Sequence, residues 1–155
     1  MLRKNSKAKK AFVGGRFAII ASKYNARYVD SMLSAAKAEL NRARAEIQIF
    51  RVPGAFEIPV VAARLAQNSI PPLSGVICLG VVLRGATTHA QHIAEAVSHA
   101  LVEIQVHHGV PIIHEVLLLE NEQQARERCL NKQHNRGTEA AQTALEMARV
   151  IQQLS

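Results

Sequence analysis

Nine consecutive residues, Gly75–Leu83 (GVICLGVVL), are apolar or glycine along their whole length. A strand without alternation between apolar and polar residues is typical of a parallel sheet that is covered on both faces. Three further strands are predicted at Arg16–Ser22, Glu46–Val52 and Val110–Leu119. Because longer segments of helical period separate these runs, the chain is predicted to consist of β-α units around a mainly parallel, four-stranded sheet.

Five helices are predicted from the recurrence of apolar side chains at three- and four-residue spacing. They contain the stripes Val29–Leu40 and Ile93–Ile104, the shorter segments Phe56–Gln67 and Gln123–Cys129, and the final stripe Ala141–Ile151. In a sheet of this kind, ligands bind outside the carboxyl ends of the strands. The segments that follow the predicted strands are therefore the first place to look for a site.

The size and composition of the chain suit one domain. Its 155 residues are 48% hydrophobic, which is enough to bury a core. We expect a single α/β domain over residues 16–155, preceded by a basic, partly disordered head at residues 1–15. No apolar run approaches the roughly 20 residues that cross a bilayer, and the basic start lacks the apolar stretch of a secretory signal. A cytoplasmic protein without a membrane partner is expected.

The net charge of +7 is concentrated at the start of the chain, where eight basic residues precede the first acidic residue, Asp30. With two Tyr, four Phe and no Trp, a platform on which bases could stack is hard to build. Nucleic acid is therefore not expected as a main partner. The two cysteines, Cys78 and Cys129, lie far apart in a predicted strand and a predicted helix, so we interpret both as reduced packing residues.

The segment Gly80–His89 (GVVLRGATTH) concentrates chemistry at the end of the most buried strand. A strand that turns into a helix leaves unpaired backbone N–H groups aimed above the strand end, and such groups bind anions. Arg84, Thr87 and Thr88 add polar donors, while small residues let a ligand approach the backbone. The sequence therefore predicts an anion site here.

His89 stands at the amino-terminal end of the helical stripe, next to this anion-type turn. The positive end of the helix disfavours a protonated imidazole, which would leave a neutral ring able to accept or relay a proton. A capping or core histidine is the alternative. His92, Glu95, His99 and Glu103 fall on the opposite, polar face of the same helix, and we do not interpret their spacing as a metal site.

Two other groups of polar residues remain ambiguous. Glu57, at the start of the second predicted helix, could cap that helix or accept hydrogen bonds from the hydroxyls of a polyol. The basic residues near the carboxyl-terminal third could be solvated or could bind phosphate, and spacing alone does not single out Arg128. Tyr24 and Asn25 could pack or could form a lid that stacks on a ligand.

Taken in this order, these segments resemble the lumazine synthase family from about Arg16 to Leu154. The most specific marks are VPGAFEIP at residues 52–59 and RGATTH at residues 84–89. Further marks are Lys23-Tyr24-Asn25, Glu120-Asn121, Gln124-Ala125, Arg128 and the segment Asn135–Ala141. Three positions depart from the family pattern: His114 replaces a common Phe, Leu118-Leu119 replace a pair of Thr, and Arg136 replaces a usual Lys.

The resemblance implies a flavodoxin-like three-layer α/β sandwich and a transferase activity without metal or organic cofactor. The family joins 5-amino-6-ribitylaminopyrimidinedione to 3,4-dihydroxy-2-butanone 4-phosphate and forms 6,7-dimethyl-8-ribityllumazine, the penultimate step of riboflavin biosynthesis. It also implies a homopentamer, with twelve pentamers forming a 60-subunit shell as one outcome, and admits riboflavin synthase as a partner. Two alternatives stay open: a non-catalytic paralogue that binds flavin or nucleotide, and a shell or scaffold protein.

The resemblance also implies a role for individual residues. His89 matches the residue that transfers protons, and Ala86, Thr87 and Arg128 match the phosphate site. The pyrimidine and ribityl chain would contact Tyr24, Asn25, Ala55, Phe56, Glu57, Val81, Val82, Leu83, His114 and Arg136. Since family sites lie between subunits, His114, Arg128 and Arg136 are expected to serve a neighbour's site.

Overall fold

The computed structural model describes residues 14–155. Residues 1–13 of the predicted basic head lie outside the described residues. Strands and helices alternate along the chain. They are β1 (Arg16–Ser22), α1 (Ala26–Arg42), β2 (Glu46–Val52), a 3-10 turn (Ala55–Glu57), α2 (Ile58–Asn68), β3 (Gly75–Leu83), α3 (His89–His108), β4 (Ile112–Leu119), α4 (Glu122–Cys129) and α5 (Arg136–Gln153).

The four strands form one sheet in the order β2-β1-β3-β4, and every neighbouring pair is parallel. The predicted mainly parallel sheet is thus confirmed. After β2 the chain crosses to the other side of β1, which creates a topological switch point between β1 and β3. Such a point opens a crevice at the carboxyl ends of the strands, because the two connections leave in opposite directions.

Alternate side chains of each strand serve two separate cores. On β1, Phe17 and Ile19 face α1, α4 and α5, whereas Ala18 and Ile20 face α2 and α3. All seven residues of β3 from Gly75 to Val81 are buried, as expected for a strand covered on both faces. The molecule is therefore the three-layer α/β sandwich that the sequence predicts.

Several element boundaries differ by a few residues from those predicted. The fourth strand begins at Ile112 rather than Val110, because Pro111 has no N–H to donate to the ladder. The predicted helix at Phe56–Gln67 is preceded by a 3-10 turn and becomes α-helical only at Ile58. The predicted strands β1, β2 and β3 are confirmed with the predicted bounds.

Helices α1 and α5 approach each other closely at the start of α5. Gly137 is buried there, and a β-carbon built on it would lie 2.0 Å from the backbone oxygen of Met32 in α1. The side chain of Asn135 caps α5 by accepting the Gly137 N–H at 2.8 Å. The same Asn135 amide donates to the Cys129 carbonyl at 2.7 Å, so one buried residue joins α4 to α5.

Both cysteines are free and buried. Burial raises the pKa of Cys78 to about 12 and is the main cause that raises the pKa of Cys129 to about 11, so both remain thiols at neutral pH. This agrees with their interpretation as packing residues. Within residues 14–155, no helix is long and apolar enough to cross a membrane.

Candidate active site

A cleft of about 1000 Å³ lies at the carboxyl ends of β1, β2 and β3 and at the beginning of α3. Its position is the switch point of the sheet. The residues that line it are Tyr24, Asn25, Gly54, Ala55, Phe56, Glu57, Val81, Val82, Leu83, Gly85, Thr87, His89, Ala90, His92, Ile93 and Ala96. It therefore brings together most of the predicted site residues from three separate loops.

The floor of the cleft is the end of β3, whose backbone has no partner strand on the β1 side. Strand β1 pairs with β3 only as far as Leu79, whereas β4 continues to pair as far as Leu83. From Gly80 onward, the side of β3 that faces β1 therefore offers its N–H and C=O groups to the cleft. The Asn25 amide already donates to the Val81 carbonyl at 2.7 Å, which leaves the groups beyond Val81 for a ligand.

Asn25 also forms the turn that positions Tyr24 at the cleft. It is the N-cap residue of α1 and has a left-handed backbone conformation, with φ of 57°. Asn tolerates this conformation better than most residues. The turn leaves Tyr24 with 74% of its surface exposed, while its backbone N–H donates to the Pro53 carbonyl at 3.0 Å. An aromatic ring is thus held out over the cleft from a fixed backbone.

The segment Gly54–Glu57 forms another wall. Ala55 is buried, whereas Phe56 is 64% exposed and lines the cleft. Glu57 occupies the N-cap position of α2, but its side chain makes no capping hydrogen bond. The side chain therefore does not cap α2 through a hydrogen bond, and the carboxylate is available to accept hydrogen bonds from ligand hydroxyls.

The turn before α3 has the geometry of an anion site. Helix α3 is 20 residues long, and its N-cap residue, Thr88, makes no side-chain capping bond. The Thr87 hydroxyl accepts the His89 N–H at a long 3.4 Å. A β-carbon on Gly85 would meet nothing within 4 Å, so a ligand has free access to this backbone. The amino-terminal N–H groups and the helix dipole favour a bound anion here.

Arg84 does not line the cleft. Its Nε lies 3.0 Å from Oε1 of Glu120, and its backbone N–H donates to the Leu119 carbonyl at 2.8 Å. Both contacts tie the end of β3 to the end of β4. Arg84 thus holds the turn in place rather than adding a donor inside the cleft, as the sequence had suggested.

His92 is a cleft residue that sequence analysis placed on the opposite face of the helix. Its Nε2 lies 3.3 Å from the Thr88 hydroxyl, and it lines the cleft together with His89, Ile93 and Ala96. Residues three and four apart share a helix face, so the spacing from His89 was the signal that could have identified it. Among the described residues, no three acidic, His or Cys side chains are grouped as metal ligands would be.

Four predicted site residues do not line the cleft. Ala86 lies in the exposed turn between Gly85 and Thr87, beside the predicted anion site. The other three lie on β4 or on the helices that follow it: His114 in the edge strand, Arg128 on the exposed face of α4, and Arg136 at the start of α5.

Ionic contacts hold Arg136 on the β4 side of the sheet. Its Nε lies 2.9 Å from Oε1 of Glu115, and its Nη1 lies 3.1 Å from Oε2 of Glu139. Glu115 is buried, and this burial raises the pKa of its carboxyl group, although Arg136 opposes the shift. The pKa of His114 is lowered, mainly because surrounding groups remove water from the imidazole.

A smaller groove of about 310 Å³ lies between β2 and α2 and is lined mostly by apolar side chains, including Phe50, Val60 and Leu65. It contains none of the predicted site residues. The larger cleft is therefore the better candidate, because it joins an apolar wall to convergent polar groups.

The sequence of the chain, compared with known proteins, matches the family model of 6,7-dimethyl-8-ribityllumazine synthase over residues 14–152. The chain belongs to the lumazine synthase family. The synthase of Stenotrophomonas maltophilia (strain R551-3) is 40% identical over 142 residues, which cover 90% of both chains. The synthase of Syntrophus aciditrophicus (strain SB) is 40% identical over 144 residues, covering 91% of this chain and 92% of the relative. The likeness to lumazine synthases therefore spans every element of the cleft.

Proposed function

We propose that the protein catalyses the condensation of 5-amino-6-ribitylaminopyrimidinedione with 3,4-dihydroxy-2-butanone 4-phosphate to 6,7-dimethyl-8-ribityllumazine. Membership of the lumazine synthase family supports this reaction. The observation that carries it is the composition of the cleft, which combines an apolar wall, a carboxylate without a capping bond and an anion-type helix terminus around His89 and His92.

The two substrates occupy different ends of the cleft. The pyrimidine ring lies against Tyr24 and Phe56 and bonds the exposed β3 backbone up to Leu83, while Glu57 accepts hydrogen bonds from the ribityl hydroxyls. The phosphate lies at the amino terminus of α3, beside the Thr87 hydroxyl. This arrangement brings the pyrimidine amine close to the ketone carbon of the second substrate.

Positioning supplies most of the acceleration. The amine attacks the ketone, water leaves to form a Schiff base, phosphate is eliminated, and the second nitrogen closes the ring with loss of another water. Holding both reactants together can contribute about 7–11 kcal/mol of the barrier. His89 is placed between the phosphate turn and the pyrimidine wall, where it moves protons between nitrogen, carbon and oxygen atoms, an effect of about 10²–10⁴-fold.

We further infer that each site is completed by a neighbouring subunit in a homopentamer. Arg128, Arg136 and His114 lie on the β4 side of the sheet and do not line the cleft of their own chain. If they contribute to substrate binding, the cleft they serve belongs to another copy. The same proposal includes a shell of 60 subunits, formed by twelve pentamers. It also includes riboflavin synthase as the partner that consumes the product. The two free cysteines suit a cytoplasmic location.

The reaction is tested by mixing the purified protein anaerobically with both substrates and recording lumazine absorbance and fluorescence. Product should form faster than in the protein-free mixture, and phosphate should be released in equal amount. If the protein binds a flavin but forms no product, the proposed reaction is wrong and the protein is a non-catalytic binding paralogue.

Sharing of the site is tested by co-assembling two impaired variants. His89→Ala and Arg128→Ala subunits, denatured and refolded together, should regain activity at low butanone phosphate, since about a quarter of sites receive both native residues. Sites contained within one subunit would give only the average of the two parental activities. Light scattering on the same samples measures whether pentamers or larger particles form.

A further inference from the structure

The ring of His114 is held at both nitrogens. Its Nδ1 accepts a hydrogen bond from the backbone N–H of Val116 at 3.3 Å, and its Nε2 lies 2.8 Å from the hydroxyl oxygen of Ser98 on α3. A backbone N–H can only donate, so Nδ1 carries no proton. The imidazole is therefore neutral, with its proton on Nε2 donated to the Ser98 hydroxyl.

Helix α3 makes this contact as part of a polar seam along the edge strand. Seven residues after Ser98, on the same helix face, the Gln105 side chain accepts the Ile112 N–H at 2.9 Å. Ile112 and Val116, which flank His114 on the same face of β4, are buried and apolar. The ring can thus turn neither into the core nor freely into solvent, although much of its surface stays exposed.

We propose that Ser98 is a positioning residue that presents His114 as a neutral, flat contact for the heteroaromatic ring bound in the neighbouring subunit's cleft. The inference rests on the proposed function and on its shared site. Both nitrogens of the imidazole are engaged by the protein, so the ring offers a π face and neither a charge nor a free hydrogen-bonding group. Anchoring also removes rotamer freedom before the substrate binds, which favours affinity.

Steady-state kinetics on a double-mutant cycle tests this role. Ser98→Ala should raise the KM for the pyrimidine by about 3–10-fold, the effect of losing one neutral hydrogen bond, while kcat and the KM for the butanone phosphate stay within about twofold. Ser98→Thr keeps the hydroxyl and should restore the wild-type KM. In a His114→Phe background, Ser98→Ala should change nothing, because Phe has no nitrogen to anchor.

The opposite pattern overturns the proposal. If Ser98→Ala raises the pyrimidine KM equally in both backgrounds, Ser98 acts on the fold of α3 and not through His114. If it changes the KM in neither background, the contact has no effect on recognition.

A measurement without substrate separates this proposal from the proposed reaction. Imidazole nitrogen chemical shifts, recorded by solid-state NMR and assigned to His114 by their loss in His114→Phe, should show a single proton on Nε2 at neutral pH. Ser98→Ala should shift the Nε2 resonance, because this nitrogen loses its hydrogen-bond partner, while Nδ1 stays unprotonated because the Val116 N–H still donates to it. A charged or tautomer-averaged ring in the wild-type protein would refute the anchoring, whereas absence of product with the expected shifts would refute only the reaction.

Discussion

Replacing Gly137 by Ala should disrupt the packing of α1 against α5. The added β-carbon would lie 2.0 Å from the Met32 oxygen and 2.6 Å from the Met32 carbonyl carbon and Cα. All three atoms belong to the backbone of another helix, so no side-chain rotation relieves the clash. The helices must separate by about 1.4 Å to restore the 3.4 Å of ordinary van der Waals contact.

The loss of unfolding free energy depends on the core packing that this separation of the helices disrupts. Met32 is fully buried, and it lies in one core with Val29, Ala140 and Ala141. Overpacking a core costs about 1–3 kcal/mol, and a backbone obstacle places this substitution at or above the upper end, about 3 kcal/mol. For a domain of this size, each kcal/mol lowers Tm by about 2–4 °C, so a decrease of about 6–12 °C is expected.

Thermal and urea unfolding of the purified variant, at the same protein concentration as wild type, measure this decrease. Gly85→Ala is the matched control, because its β-carbon would meet nothing within 4 Å and its backbone does not lie in the left-handed region. Its Tm should stay within about 2 °C of wild type. A Gly137→Ala protein as stable as this control would show that α1 and α5 do not pack as described.

Three further substitutions test the site and its surroundings. Arg128→Ala should raise the KM for the butanone phosphate by about 10–100-fold with little change for the pyrimidine, whereas Arg126→Ala on the same helix should leave both unchanged in steady-state assays. His89→Ala should lower turnover by about 10–10³-fold in single-turnover kinetics while a pyrimidine analogue still binds, a smaller loss than the full acid–base effect because water can substitute in part; wild-type turnover would exclude His89 from proton transfer. Glu115→Gln should increase the free energy of unfolding at neutral pH, because burial raises the pKa of the folded carboxyl above 4.5 and its ionisation therefore opposes folding. That advantage should shrink as the pH falls through the raised pKa, and an advantage that grows on acidification would reverse the assigned sign.

Local patterns predicted the elements and part of the site. The unbroken apolar run Gly75–Leu83 predicted a strand covered on both faces, and it is the second central strand, β3. The change from this run to the helical period at His89 predicted the anion-type turn at its end. The strand prediction held because strand burial is a property of neighbouring residues, whereas the anion site stays a prediction.

Local sequence patterns do not predict contacts between distant segments of the chain. The sequence allowed Glu57 to be either a cap or a ligand contact, and only the folded backbone shows that its side chain does not cap α2. His92 was assigned to the wrong face, although its spacing from His89 would have placed it correctly. The pairing of Arg84 with Glu120 joins residues from two strands, so no spacing along the chain could indicate it.

The sequence by itself determined which segments are strands and helices and the family to which the chain belongs. Tertiary structure alone decided where the site lies: the order β2-β1-β3-β4 places the switch point between β1 and β3 and ends their pairing at Leu79. It also separated His114, Arg128 and Arg136 from the cleft. The physical reason is that hydrophobic period is a local property of the chain, whereas strand order and side-chain pairing depend on how distant segments pack.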